Sequence, residues 1–124
     1  MPKIVLIEDD STMLSLLKTL LEIEGYSAKG FDGQLDPDSM VETIHEEAPD
    51  LVLIDVHLRK LNGFDLLKAI RSDSRLKSLI VMMSSGMDVG EQCKRAGADG
   101  FILKPYMPDE LLAHIRQAIM SASK

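Results

Sequence analysis

Tryptophan is absent from the sequence, and two tyrosines and three phenylalanines are its whole aromatic content. The core must therefore be built from aliphatic side chains and from the eight methionines. A single cysteine, Cys93, excludes an internal disulfide and fits a reduced, cytoplasmic setting. No apolar run is long enough to span a bilayer, and the opening MPKIVLIEDD is too short in apolar residues for a signal peptide, so membrane insertion is not expected. Repeats, low-complexity tracts and linkers are missing as well. So is any excess of positive charge: the net charge of −6 argues against direct contact with nucleic acid.

What is there fits one domain over residues 1–124. A chain of this length buries roughly two-thirds of the surface its unfolded form exposes, enough for one core. Five short apolar runs alternate with five stretches of helical periodicity. The runs are KIVLI, the weaker YSAKGF, LVLID, LIVMM and GFILKP. Between them, Met13, Leu14, Leu17, Leu20 and Leu21 recur at helical spacing before Gly25. Asp36 and Pro37 open a second helix with a stripe of Met40, Val41, Ile44 and Ala48. GFDLLKAIRS and VGEQCKRAGA read as the third and fourth helices, and Leu111, Leu112, Ile115 and Ile119 line the fifth. Continuous apolar strands joined by helices predict an α/β fold with a parallel sheet covered on both faces. In such sheets ligands bind outside the carboxyl ends of the strands.

Chemistry-bearing residues stand at those ends. Glu8, Asp9 and Asp10 follow the first strand, and Asp55 closes the third. Ser84 and Ser85 follow the fourth strand, and Lys104 and Pro105 follow the fifth. Each signal alone has a plainer reading. An acidic run before a helix is capping chemistry, Asp55 begins a turn, and Lys104 is a surface lysine. Their joint placement points to a pocket. Clustered carboxylates repel one another, and a divalent cation relieves that cost. Magnesium prefers oxygen ligands and leaves room for phosphate oxygens. A lysine supplies charge for an anion, a serine supplies a hydroxyl, and a carboxylate can act as nucleophile.

The segments IVLIEDDSTM, PDLVLIDVHLRKLNGFDLL, IVMMSSG and KRAGADGFILKPY resemble the receiver domain of two-component response regulators, of the chemotaxis-regulator type. The resemblance covers nearly the whole chain. It implies a flavodoxin-like, doubly wound five-stranded sheet in the order 2-1-3-4-5, with five flanking helices. It implies that Asp55 is the phosphoacceptor, with Lys104 and Ser84 as its partners. It implies a magnesium site made of Asp9, Asp55 and the backbone carbonyl of His57, with Glu8 acting through water, while Asp10 serves the loop or caps the helix. Ser84 and Phe101 match switch positions, and the output face spans residues 89–120, the fourth helix, fifth strand and fifth helix. The Lys104–Pro105 bond is cis in the family. The implied partners are a sensor histidine kinase or histidine phosphotransfer protein upstream, and a target protein of unstated identity downstream.

The sequence departs from that pattern in places. Leu58-Arg59 stands where the family has Met-Pro or Leu-Pro. Arg59 reads as a solvated cation at the site mouth. His57 and Gly86 are expected to tune the lifetime of the phosphoryl group. The connection over residues 30–39 is long and carries no assigned role. His45 and His114 have no matching ligand partners, and Cys93 reads as a small packed residue. No output domain is expected in this chain, and no turnover of a metabolite. A haloacid-dehalogenase-type phosphatase needs a second aspartate where His57 stands, and a flavodoxin needs a phosphate loop where EDDSTM stands. The alternative reading is a binding module of the same fold that is not phosphorylated.

Overall fold

The computed structural model describes residues 1–122. The end of the chain at residues 123–124, where the sequence reading sees no output domain following, lies outside the described residues. Strand and helix alternate: β1 (Lys3–Ile7), α1 (Ser11–Ile23), β2 (Ser27–Phe31), α2 (Pro37–Glu47), β3 (Leu51–Asp55), α3 (Gly63–Ser72), β4 (Ile80–Ser85), α4 (Gly90–Arg95), β5 (Gly100–Leu103) and α5 (Pro108–Ala122). A 3-10 turn at Ser74–Leu76 precedes β4. All ladders are parallel, and the strand order is β2-β1-β3-β4-β5, as expected.

The continuous apolar runs follow from burial on both faces. Val5, Ile7, Val52, Ile54, Val81 and Met83 point to a core shared with α2, α3 and α4. Their neighbours Ile4, Leu6, Leu51, Leu53, Ile80 and Met82 point to a second core under α1 and α5. That alternation is the period of two along a strand. The methionines Met40, Met82 and Met83 fill core positions, which answers the shortage of aromatics. Cys93 is fully buried in the core that holds Met40 and Met83, and burial pushes its thiol pKa up.

Caps fix the helix starts. Asp10 accepts from the Met13 N–H, Asp36 from the Ser39 N–H, and Asn62 from the N–H groups of Phe64 and Asp65. Three details differ from the sequence reading. β4 runs on through Ser84 and Ser85, because ladder pairing to Asp55 and Leu103 continues where the apolar signal stops. Ala48 leaves the apolar stripe of α2 and forms its left-handed C-cap at φ 48°. Helix α4 keeps only six residues. Among the described residues, no helix is long and apolar enough to cross a membrane.

Candidate functional site

Three strand ends build the site. β1 runs into Glu8 and Asp9, β3 ends on Asp55, and β5 runs into Lys104. The ladder register sets Ser84 of β4 directly beside Asp55. The backbone knits these ends together: Val56 N–H donates to the Ser84 carbonyl at 2.9 Å, and Lys104 N–H to the Ser85 carbonyl at 2.8 Å. Glu8, Asp55, Ser84 and Ser85 are buried, an unusual gathering of polar groups in an apolar frame.

One oxygen from each of Glu8, Asp9 and Asp55 lies within 4.8 Å of the others. The Lys104 ammonium donates to Glu8 Oε1 at 2.9 Å and to Asp55 Oδ2 at 3.1 Å. Asp10 N–H reaches Glu8 Oε2 at 3.3 Å, and His57 N–H reaches Asp55 Oδ1 at 3.1 Å. Burial pushes the Glu8 pKa up, and the bond to Lys104 offsets this only in part. Burial alone would lower the Lys104 pKa, but the two carboxylates outweigh it and hold the ammonium above its ordinary range. Lys104 thus pairs with two of the three carboxylates, and the ligand atoms on offer are hard oxygens. That set fits a small, hard divalent cation.

The other expected residues fall into place around this cluster. His57 is exposed, and its segment is closed by a bridge to Asn62. Gly86 is exposed, and a side chain there would meet nothing within 4 Å. Phe101 is half-buried beside α4, where a Cβ on Gly90 would come within 3.1 Å of its ring. The Lys104–Pro105 peptide is cis. His45 and His114 are both exposed and stand outside the acidic cluster. Within residues 30–39, Gly33 adopts φ 75° and lies against Leu58, so the long connection braces the segment after β3.

Sequence reasoning missed two contributions. Arg59 donates its main-chain N–H to Asp9 Oδ2 at 2.8 Å, a contact only the fold brings about. Gly63 packs so tightly under Asp55 that a Cβ would stand 2.8 Å from the Asp55 carbonyl oxygen. The Asn62-Gly63 pair at a helix start was the available signal for the second. Beside Lys104 lies an apolar groove of about 770 Å³, lined by Met13, Leu16, Leu20, Pro105 and Tyr106 among others.

The family model described as the response regulator receiver domain matches residues 4–116. The chain belongs to that family. The receiver is 37% identical over 118 residues to the transcriptional regulatory protein CpxR of Escherichia coli, covering 94% of this chain and 48% of that protein. It is 32% identical over 116 residues to the DNA-binding response regulator MtrA of Mycobacterium tuberculosis, covering 92% and 49%. The receiver therefore spans about half the length of these curated relatives. Among solved structures, a CheY-like receiver domain protein from Methanospirillum hungatei superposes with a TM-score of 0.85 at 27% identity, covering 99% of this chain and 97% of that one. The expected family and fold are thus borne out. The expected lack of nucleic-acid contact gains no support from relatives, one of which is named for binding DNA.

Proposed function

We propose that this receiver is a phosphoacceptor switch in a two-component phosphorelay, acting in the cytoplasm and modified on Asp55. The observation that carries the reading is the convergence of Glu8, Asp9, Asp55 and Lys104 at the carboxyl ends of three strands. The donor is the phosphohistidine of a sensor histidine kinase or of a histidine phosphotransfer protein. The exposed apolar groove beside Lys104 suits such a protein donor.

An Asp55 carboxylate oxygen attacks phosphorus in line. The new P–O bond forms as the P–N bond to imidazole breaks, and the imidazole leaves with the bonding electrons and takes a proton from solvent. Asp9, Asp55 and the His57 carbonyl would hold magnesium, with Glu8 acting through water, and the ion would neutralise charge on the phosphoryl oxygens. Lys104, already bonded to Asp55, supplies a second positive charge at the same place.

The acyl phosphate adds up to about two negative charges beside Ser84. Its hydroxyl is drawn to the phosphoryl oxygens, which moves the segment after β4. Phe101 then packs further inward, and the face formed by residues 89–120 changes shape for its target protein. This is a population shift, driven by the phosphoryl group favouring one arrangement. His57, exposed next to Asp55, and Gly86, which leaves the site mouth open, set how fast water removes the group. The receiver turns over no metabolite; it takes part only in its own phosphorylation and slow dephosphorylation.

Incubation with magnesium and acetyl phosphate, followed by intact-mass measurement, tests the reading. The chain should gain one phosphoryl group, and the Asp55→Asn variant should gain none. A chain that stays unmodified under every metal condition would instead be a receiver-fold interaction module.

A further inference from the structure

The Asp9 carboxylate already has a cationic neighbour. Arg59 gives its N–H to Asp9 Oδ2 at 2.8 Å, and its Nε stands 3.7 Å from the same oxygen. The two donors differ in kind. The main chain at residue 59 is anchored by the His57–Asn62 bridge on both sides of it, and by Leu58 packed on Gly33. The Arg59 side chain is 83% exposed, while the Asp9 side chain is only 13% exposed. The amide is therefore a fixed, neutral partner. The guanidinium is a charged partner that water can take up at little cost. A proline in this place would have given neither, since it lacks both the N–H and the charge.

We propose that Arg59 serves as the resident counter-charge of Asp9 in the metal-free protein and that its guanidinium must leave as a divalent cation enters. Residue 59 then modulates the metal affinity of the site. The amide bond can persist, because a carboxylate oxygen accepts more than one partner. The like charges of guanidinium and incoming cation cannot share the oxygen without cost. The proposal rests on reading Glu8, Asp9 and Asp55 as the metal-holding cluster.

Calorimetric titration with magnesium chloride, and with manganese chloride as a tighter probe, tests it on four folded proteins: the unaltered chain, Arg59→Ala, Lys60→Ala and Asp9→Asn. Arg59→Ala keeps the amide and removes the charge. It should bind metal roughly two- to fivefold more tightly at low salt, the size of an exposed ion pair. The gain should vanish near about 1 M monovalent salt, where the screening length is a few ångströms. Lys60→Ala changes the net charge equally at the next, also exposed, residue and should move the affinity far less. Equal affinity in Arg59→Ala and the unaltered chain, or an equal gain from Lys60→Ala, would overturn the role of Arg59 alone. Absence of binding to the unaltered chain, or binding undiminished by Asp9→Asn, would overturn the metal reading with it.

Discussion

The Lys104 ammonium donates to Asp55 Oδ2 at 3.1 Å from two strands away, with β4 between them. The same nitrogen holds Glu8 Oε1 at 2.9 Å, so one cation ties β1, β3 and β5 at their carboxyl ends. Its removal leaves two buried carboxylates without their counter-charge. Lys104→Met should cost roughly 3 kcal/mol in metal-free buffer, the range for breaking one side of a buried pair. Magnesium should restore part of that loss, because it supplies the missing charge. Urea unfolding with chelator and then with magnesium measures both, and an unchanged midpoint in chelator would contradict the assignment.

Gly63 governs how closely α3 approaches the end of β3. A Cβ there would sit 2.7 Å from Val56 Cα and 2.8 Å from the Asp55 carbonyl oxygen, both backbone atoms that cannot turn aside. Gly63→Ala should destabilise the fold by about 1–3 kcal/mol through overpacking. It should also slow labelling of Asp55, since the strand end that carries the carboxylate must shift. Gly86→Ala is the contrast: its Cβ meets nothing within 4 Å, and stability should stay within about 0.5 kcal/mol.

The frame of this molecule was legible because burial on both faces of a parallel sheet writes an unbroken apolar run for each central strand. Asp36-Pro37 marked the start of α2 by cap chemistry that is local in the chain. The strand-end rule then gathered Glu8, Asp9, Asp55, Ser84 and Lys104, residues far apart in sequence. What escaped was written in no local pattern. The last two residues of β4 are serines, which carry no strand signal, and ladder pairing with Asp55 on one side and with Ile102 and Leu103 on the other keeps them extended. Alanine at position 48 looks like one more apolar residue of a stripe, yet it takes the left-handed cap. The Arg59 amide bonds Asp9 through a main-chain group, and every residue type except proline offers the same donor.

Arg71 is another residue whose work is invisible in the sequence. From α3 its Nε donates to the Gly97 carbonyl, its Nη1 to the Leu79 carbonyl and its Nη2 to Asp99, each at 2.8 Å. Asp99 also accepts the Val81 N–H at 2.9 Å. The fork thereby pins the turn between α4 and β5 to the start of β4. Arg71→Ala should lower stability by about 2–3 kcal/mol, the cost of losing bonds to a charged donor. Arg71→Lys should recover less than half of it, because an ammonium cannot reproduce the planar fork. Hydrogen exchange should show α4 and β5 amides losing protection before those of β1 and β3; uniform loss across the sheet would argue against a local clamp.

Acid should act at the end of the molecule opposite Asp55. Asp73 accepts from the Arg75 N–H, Nε and Nη2, and these bonds hold its pKa at about 2, below the ordinary 3.8. The Arg75 fork also binds Glu42 of α2 at 2.7 and 3.1 Å and lowers that carboxyl too. A carboxyl depressed in the folded state takes up its proton first in the unfolded chain. The stability contributed by Asp73 is therefore fully present above pH 3.8 and disappears as the pH falls towards about 2. Glu8 has the opposite sign: its raised pKa makes ionisation above the ordinary 4.5 weigh against the fold. Arg75→Gln removes the guanidinium's share of the Asp73 and Glu42 contribution, keeps the main-chain N–H bond to Asp73, and leaves Glu8 untouched. Its melting temperature should fall below that of the unaltered chain at pH 7, and the gap should close between pH 4 and pH 2. The gap should also narrow in salt, because the ion pairs lie at the surface. A difference that persists undiminished at pH 2 would assign the effect of Arg75 to packing and not to charge.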